Sequence, residues 1–223
     1  MLSAALAPVI AAPANPIILW SLPVMAYLLG SIPFGYIIVW IGGRGDIRKR
    51  GSGNIGATNV ARVSGILPGV MTLALDGAKG YVAVWLAGRV TGDNIRWMSL
   101  TAVIVLAGHI WPVWLGWHGG RGVATGAAAF LPFCWQAIAG AIVVWILVVV
   151  FWRYVSLGSI SATAALPLLT YLLYAPGHAP PVALSASVSL AAVLVIARHR
   201  ANIVRLLEGS EPQIYIGRAR REP

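Results

Sequence analysis

Six long apolar runs leave this chain little choice of fold. They cover Ile17–Ile41, about Ile66–Ala87, Met98–Gly116, Val123–Phe151, Ile160–Tyr174 and Val182–Ala197. A helix needs about 20 apolar residues to span a bilayer, and most of these runs approach or exceed that length. Charged residues make up 10% of the chain and hydrophobic ones 59%, whereas a soluble domain carries about 25% charged residues. The chain therefore reads as an all-α integral membrane protein. Its formal charge of +10 does not point to nucleic acid, because the basic residues sit in gaps between apolar runs rather than on one soluble face. Anionic lipid headgroups and a phosphorylated substrate suit them better.

The division expected from composition is a loose alanine- and proline-rich leader at 1–16, a membrane domain at 17–197 and a basic tail at 198–223. No lysine or arginine precedes Arg44. A secretory signal would carry a positive start, so the first apolar run is read as a retained span.

Orientation follows from the excess of Lys and Arg on cytoplasmic loops. Arg44, Arg48, Lys49, Arg50 and Arg62 place the first loop inside and the N-terminus outside. The next two spans bring the chain back inside at Arg121. The tail holds Arg198, Arg200, Arg205, Arg218, Arg220 and Arg221, and it also belongs inside. A single crossing by Val123–Phe151 would leave that tail outside. Splitting the run at Pro132, where a helical hydrogen bond is lost, repairs the parity. The chain would go out along about Val123–Leu131, only about 14 Å of helix, and return along about Trp135–Phe151. A re-entrant dip would give the same sidedness. The expectation is about seven transmembrane helices, some short or broken, with the N-terminus outside and the C-terminus cytoplasmic.

Polar constellations interrupt this apolar chain. Gly119-Gly120-Arg121-Gly122-Val123-Ala124-Thr125 is a glycine-rich turn with a guanidinium, able to bring backbone N–H groups and a forked donor close to an anion. It would otherwise be an ordinary tight turn between helices. Gly51-Ser52-Gly53-Asn54-Ile55-Gly56-Ala57-Thr58-Asn59 holds three glycines in nine residues beside Ser52, Asn54 and Thr58. Such a stretch can form an anion nest or a loop capped by its own side chains, and Arg62 follows to neutralise charge. On one helix face, His199, Asn202 and Arg205 stand three apart. Together they can orient and deprotonate a hydroxyl beside a phosphate, or lie on headgroups as Arg198, Arg218, Arg220 and Arg221 are expected to do.

Asp76 and Lys79 lie three apart inside an apolar run. Ionisable groups there are functional candidates by default, with Lys79 available to a phosphate; an ion pair holding a broken helix is the equal alternative. His109 is placed to line the site or to bond a carbonyl. His118 and His178 are read as interfacial, and Ser156 is a serine without a nearby base. No H-E-x-x-H pattern occurs, and Cys134 is the only cysteine. Neither a metal nor another cofactor is expected, and intramolecular disulfides are excluded.

Taken together, these segments resemble the bacterial acyl-phosphate-dependent glycerol-3-phosphate acyltransferases, the PlsY family. The resemblance rests on Gly30-Ser31-Ile32-Pro33-Phe34-Gly35, Gly51–Asn59, Asp76-Gly77-Ala78-Lys79-Gly80 and Gly108-His109. It continues through Gly119–Thr125, Tyr154-Val155-Ser156-Leu157 and His199-Arg200-Ala201-Asn202-Ile203. It implies transfer of a fatty acyl group from acyl phosphate to the 1-hydroxyl of sn-glycerol 3-phosphate, in the cell inner membrane, with the site facing the cytoplasm. By the same resemblance Ser52, Arg62, His199 and Asn202 are the catalytic candidates. Gly53, Asn54, Thr58, Lys79, His109, Gly119, Gly120, Arg121, Gly122 and Ser156 are candidates for binding substrate or phosphate. The family commonly has lysine where this chain has Arg121, which keeps the charge but changes an ammonium into a planar fork. The expected partners are the two substrates and membrane lipids, with the protein acting as a monomer and without nucleic acid.

The histidine-then-aspartate signature of other glycerolipid acyltransferases is absent. Five residues beyond the four histidines stand Trp114, Val123, Ala183 and Val204, which argues against acyl-CoA or acyl-carrier-protein donors. The rival readings are a transporter for a phosphorylated solute and a purely structural membrane subunit. Against the transporter, no internal repeat is apparent.

Overall fold

The computed structural model describes residues 15–174 and 177–214. The described residues form helices and turns and no strand: α1 Pro16–Ser31, α2 Phe34–Ile41, α3 Ala57–Ser64, α4 Ile66–Thr91, α5 Ile95–Ile110, α6 Val123–Trp152, α7 Val155–Leu173, α8 Val182–Arg198 and α9 Arg200–Leu207. Five stretches are long and apolar enough to cross a membrane, counting α1 with α2 as one; α8 and α9, bent by 57° at His199, make a sixth candidate. Large apolar side chains such as Trp20, Leu67, Val143, Phe151 and Leu172 stand exposed around the bundle, as a lipid-facing surface requires. Most of the expected leader lies outside the described residues. Its end belongs to α1, because the Asn15 side chain accepts from the Ile17 amide at 2.9 Å and Pro16 occupies the first helical position.

The first span breaks where its sequence demands it. Pro33 disfavours helical geometry at Ile32, which is extended (φ −62°, ψ 115°). The freed Ile32 carbonyl accepts from Lys79 Nζ of α4 at 2.8 Å, and the same ammonium pairs with Asp76 Oδ1 at 2.8 Å. Both charged residues are 3% exposed. Of the two readings the sequence allows, Lys79 thus takes the ion pair that pins a broken helix. Lys79→Met is expected to destabilise the protein by about 3–5 kcal/mol, since it strands a buried carboxylate. Thermal unfolding in detergent would show the drop, and Asp76→Asn added to it would recover much of the loss. A single variant as stable as the wild type would mean that Asp76 needs no counter-charge.

Glycines then let helices close to backbone distance. A Cβ on Gly30 of α1 would strike the Val105 carbonyl of α5, and one on Gly108 of α5 would strike the Tyr27 carbonyl of α1. Small residues at such crossings let helices associate in lipid.

In α6 lies the main departure from straight spans. Thirty helical residues would extend about 45 Å if straight. Yet Arg121, just before α6, and Ser156, just after it, both line one cavity, which Glu211 also lines. The helix therefore bends back on itself, at Cys134, whose φ −148° and ψ 51° are non-helical. The sequence expectation put this break at Pro132; it falls two residues later, within a turn of that proline. The two limbs are 123–133 and 135–152, and between them they pack on α4 and α7.

Candidate active site

The Gly51–Asn59 loop is organised by a single buried amide. Asn59 Nδ2 donates to the Arg50 carbonyl at 3.1 Å and the Asn54 carbonyl at 2.8 Å, and its Oδ1 accepts from the Ser52 amide at 2.8 Å. Gly51 has φ +56°, and a Cβ there would strike Asn59 Oδ1. Asn54 Oδ1 accepts from the Gly56 amide at 2.7 Å. The loop is thus wired largely to itself. What it presents to the cavity are Ser52, Asn54, Thr58 and, one turn into α3, Arg62. Gly53 does not line the cavity, since its amide turns back to the Arg50 carbonyl at 3.0 Å. The first-turn amides of α3, at Ala57 and Thr58, have no acceptor within that helix.

Gly119 and Gly120 also correct the expectation. Their amides donate to the Ile110 and His109 carbonyls, both at 3.1 Å, and so cap α5 rather than meet an anion. A Cβ on Gly120 would collide with His109 Nε2, so the glycine makes room for the imidazole. Arg198, expected on lipid headgroups, instead donates to the Gly120 and Gly119 carbonyls at 3.4 and 3.3 Å. That contact ties the turn to the end of α8. Arg121 and Gly122 do face the cavity, with Gly122 left-handed (φ +86°) at the start of α6. Burial pushes the Arg121 guanidinium down to about 10, with Glu211 opposing the shift and Arg205, Arg198 and Arg62 adding to it; it stays charged at neutral pH. Among the described residues neither Arg62 nor Arg121 has a carboxylate within ion-pair distance. Two such guanidiniums beside one cavity can hold an anion.

His109 lines the cavity wall, 4% exposed, with Nδ1 3.2 Å from Thr125 Oγ1. Thr125 donates its proton to the Asp76 carbonyl at 2.9 Å, so it cannot donate to His109, and Nδ1 faces both the threonine oxygen and Asp76 Oδ1, the latter at 3.6 Å.

At the α8–α9 break, His199 Nδ1 lies 2.8 Å from the Val195 carbonyl. A carbonyl only accepts, so Nδ1 carries the proton and the Nε2 lone pair is free. His199 is 1% exposed and lines the cavity. Asn202 Nδ2 donates to Glu211 Oε1 at 2.6 Å, and Arg205 Nε donates to Glu211 Oε2 at 2.7 Å. The carboxylate fixes which way the amide points. Asn202 Oδ1 is then buried with no partner among the described residues. The Ser156 hydroxyl lies beside the same carboxylate. Burial raises the Glu211 pKa, but the nearby Ser156 hydroxyl and the bonds from Asn202 and Arg205 outweigh it and hold the carboxyl below its ordinary range. Glu211 was absent from the sequence candidates. A lone carboxylate after Gly209-Ser210 carries no pattern, and only the fold of 208–214 back over α9 brings it to Asn202.

Most of these groups border one cavity of about 1120 Å³. Its polar end holds Ser52, Thr58, Arg62, Arg121, Ser156, His199 and Asn202. Its other end runs between α6, α7 and α8 and is lined by Phe130, Ile138, Ala141, Trp145, Ala162, Leu166 and Ala191. Among the sequence candidates Gly53, Lys79, Gly119 and Gly120 are not on its wall. An amphiphile with an anionic head and a long apolar tail fits this division. So does a second, small anionic molecule at the polar end.

Residues 20–209 match the family model described as glycerol-3-phosphate acyltransferase. A glycerol-3-phosphate acyltransferase of Syntrophotalea carbinolica is 47% identical over 83% of this chain and 92% of its own length. One of Ehrlichia canis is 43% identical over 87% of this chain and 97% of its own. Among solved structures, the integral membrane glycerol 3-phosphate acyltransferase PlsY in its glycerol 3-phosphate form aligns with a TM-score of 0.82 and 36% identity, covering 89% of this chain and 96% of that one. Its lysophosphatidic acid form aligns with a TM-score of 0.80 and 35% identity.

Proposed function

Because this chain belongs to the glycerol-3-phosphate acyltransferase family, we propose that it moves a fatty acyl group from acyl phosphate to the 1-hydroxyl of sn-glycerol 3-phosphate. The products are 1-acylglycerol 3-phosphate and inorganic phosphate. The observation that carries this reading is one cavity that joins unpaired guanidiniums to an apolar limb. The acyl tail occupies that limb, and the two phosphate groups share the cationic end.

Each polar residue then has a task its atoms permit. Arg62 and Arg121 hold the anions. Ser52, Thr58 and the first-turn amides of α3 and α6 donate to phosphate oxygens or to the developing oxyanion. Asn202 Oδ1 accepts from one glycerol hydroxyl and orients it. The His199 Nε2 lone pair takes the proton of the attacking hydroxyl; its oxygen bonds to the acyl carbon, and the bond from that carbon to the phosphate oxygen breaks. Passing the proton to the departing phosphate restores the histidine. An acyl phosphate is already activated, so positioning two anions side by side supplies much of the acceleration, and the reading needs no metal. Arg44, Arg48, Lys49 and Arg50 favour a cytoplasmic face for this end of the protein, where water-soluble glycerol 3-phosphate is found.

Purified protein in detergent or lipid cubic phase, given labelled glycerol 3-phosphate and chelator, tests the proposal. Lysophosphatidate is expected from palmitoyl phosphate and not from palmitoyl-CoA. Product from the CoA ester alone would overturn the donor. Product from neither would favour the transporter reading, which uptake into liposomes would examine.

A further inference from the structure

The bend in α6 has a consequence for the apolar limb of the cavity. Phe130 stands four residues before Cys134 and Ile138 four residues after it, so each lies one turn from the bend and both line the cavity. Leu166 of α7 lines it at the same end. Phe130, Ile138 and Leu166 are 0%, 2% and 7% exposed. Behind them the Phe133 ring packs on Phe130 with centroids 5.5 Å apart, and Cys134 meets Thr170. The residues that follow along these helices, Phe133, Cys134, Leu169 and Thr170, are not on the cavity wall.

On the reading that this limb holds the acyl tail, we propose that Phe130, with Ile138 and Leu166, forms the floor of the tail site and sets the longest acyl chain accepted. From Ser156 at the polar end to Leu166 the α7 wall runs about 15 Å, which gives the site a finite depth. A chain that reaches past the floor must push aside a rigid aromatic ring or buckle. Removing the ring lets further methylenes be buried, each worth about fourfold in binding.

The test is the chain-length profile of kcat/KM, from lauroyl to arachidoyl donors. Phe130→Ala is expected to move the optimum to longer chains, raising the preference for two extra methylenes roughly sixteenfold over wild type. Ala162→Leu, which narrows the same limb, should move it the other way. Leu131→Ala, a neighbour that is 36% exposed and off the cavity wall, should leave the profile as it was. Should Phe130→Ala not fold, Phe130→Leu and Ala162→Leu decide the matter. Folded variants with the wild-type profile would overturn the floor. The series uses whichever donor the wild type accepts, so a failed acyl-phosphate reading and a failed floor are told apart. Turnover with neither donor would overturn both.

Discussion

His199→Ala is expected to lower kcat for glycerol 3-phosphate acylation by roughly 10²–10⁴-fold while KM moves far less. That range is what a positioned general base contributes. The assignment comes from hydrogen-bond logic rather than from the residue type. The Val195 carbonyl, 2.8 Å from Nδ1, fixes the tautomer and leaves Nε2 as an acceptor at the cavity wall. Only one hydrogen bond, from the imidazole to the Val195 carbonyl, is lost in the variant, about 0.5–1.5 kcal/mol, so the protein should still fold and extract normally. Rapid single-turnover kinetics in detergent would separate the chemical step from binding. A loss of less than tenfold would mean that a phosphate oxygen of a substrate takes the proton, with His199 only shaping the wall.

Placements that follow from short local motifs were legible in the sequence. Ser52, Asn54, Thr58 and Arg62 occupy a loop and the first turn and a half of one helix, and His199 with Asn202 a single helical turn. In each case spacing alone puts the side chains together. Roles that depend on the direction of a backbone amide were not legible. A glycine-rich turn can aim its N–H groups at a ligand or back at the helix before it, and Gly119 and Gly120 do the second. Arg198 was placed on lipid and Lys79 left open for a related reason: a cation near a membrane can find lipid, substrate or a carbonyl freed by a helix break. Here the carbonyls won, at Gly119, Gly120 and Ile32. The bend in α6 was foreseen from charge on distant loops, because no local signal at Cys134 marks it and Pro132 locates it only to within a turn. Glu211 needed the tertiary structure, since its partners Asn202, Arg205 and Ser156 lie on two helices.

Glu211→Gln is expected to cost about 10² in kcat, with an unchanged or lower KM for glycerol 3-phosphate. Glu211 contacts no proposed reacting atom; it acts through Asn202. As a carboxylate it accepts from both Asn202 Nδ2 and Arg205 Nε. Glutamine keeps one acceptor oxygen, so it must set an N–H₂ against one of these two donors. If Asn202 rotates to relieve that clash, an N–H₂ replaces its Oδ1 and the glycerol hydroxyl loses its acceptor, a positional loss of the kind that costs about 10²-fold. The charge argument points the other way for binding. Glu211 is the acidic counterweight felt by Arg121, while Arg62, Arg198 and Arg205 all add positive charge there. Neutralising it leaves the anion end more cationic, so phosphate binding should hold or tighten. A variant that merely unfolded the site would raise KM as well. The pH dependence of stability gives an independent reading. The folded carboxyl titrates below its ordinary 4.5, so its stabilisation is present above that pH and disappears as pH falls through the lower folded value. The wild type should therefore lose thermal stability below about pH 4.5, and the glutamine variant should lack that component. A variant with wild-type kcat and an unaltered acid limb would mean that Asn202 keeps its orientation without the carboxylate.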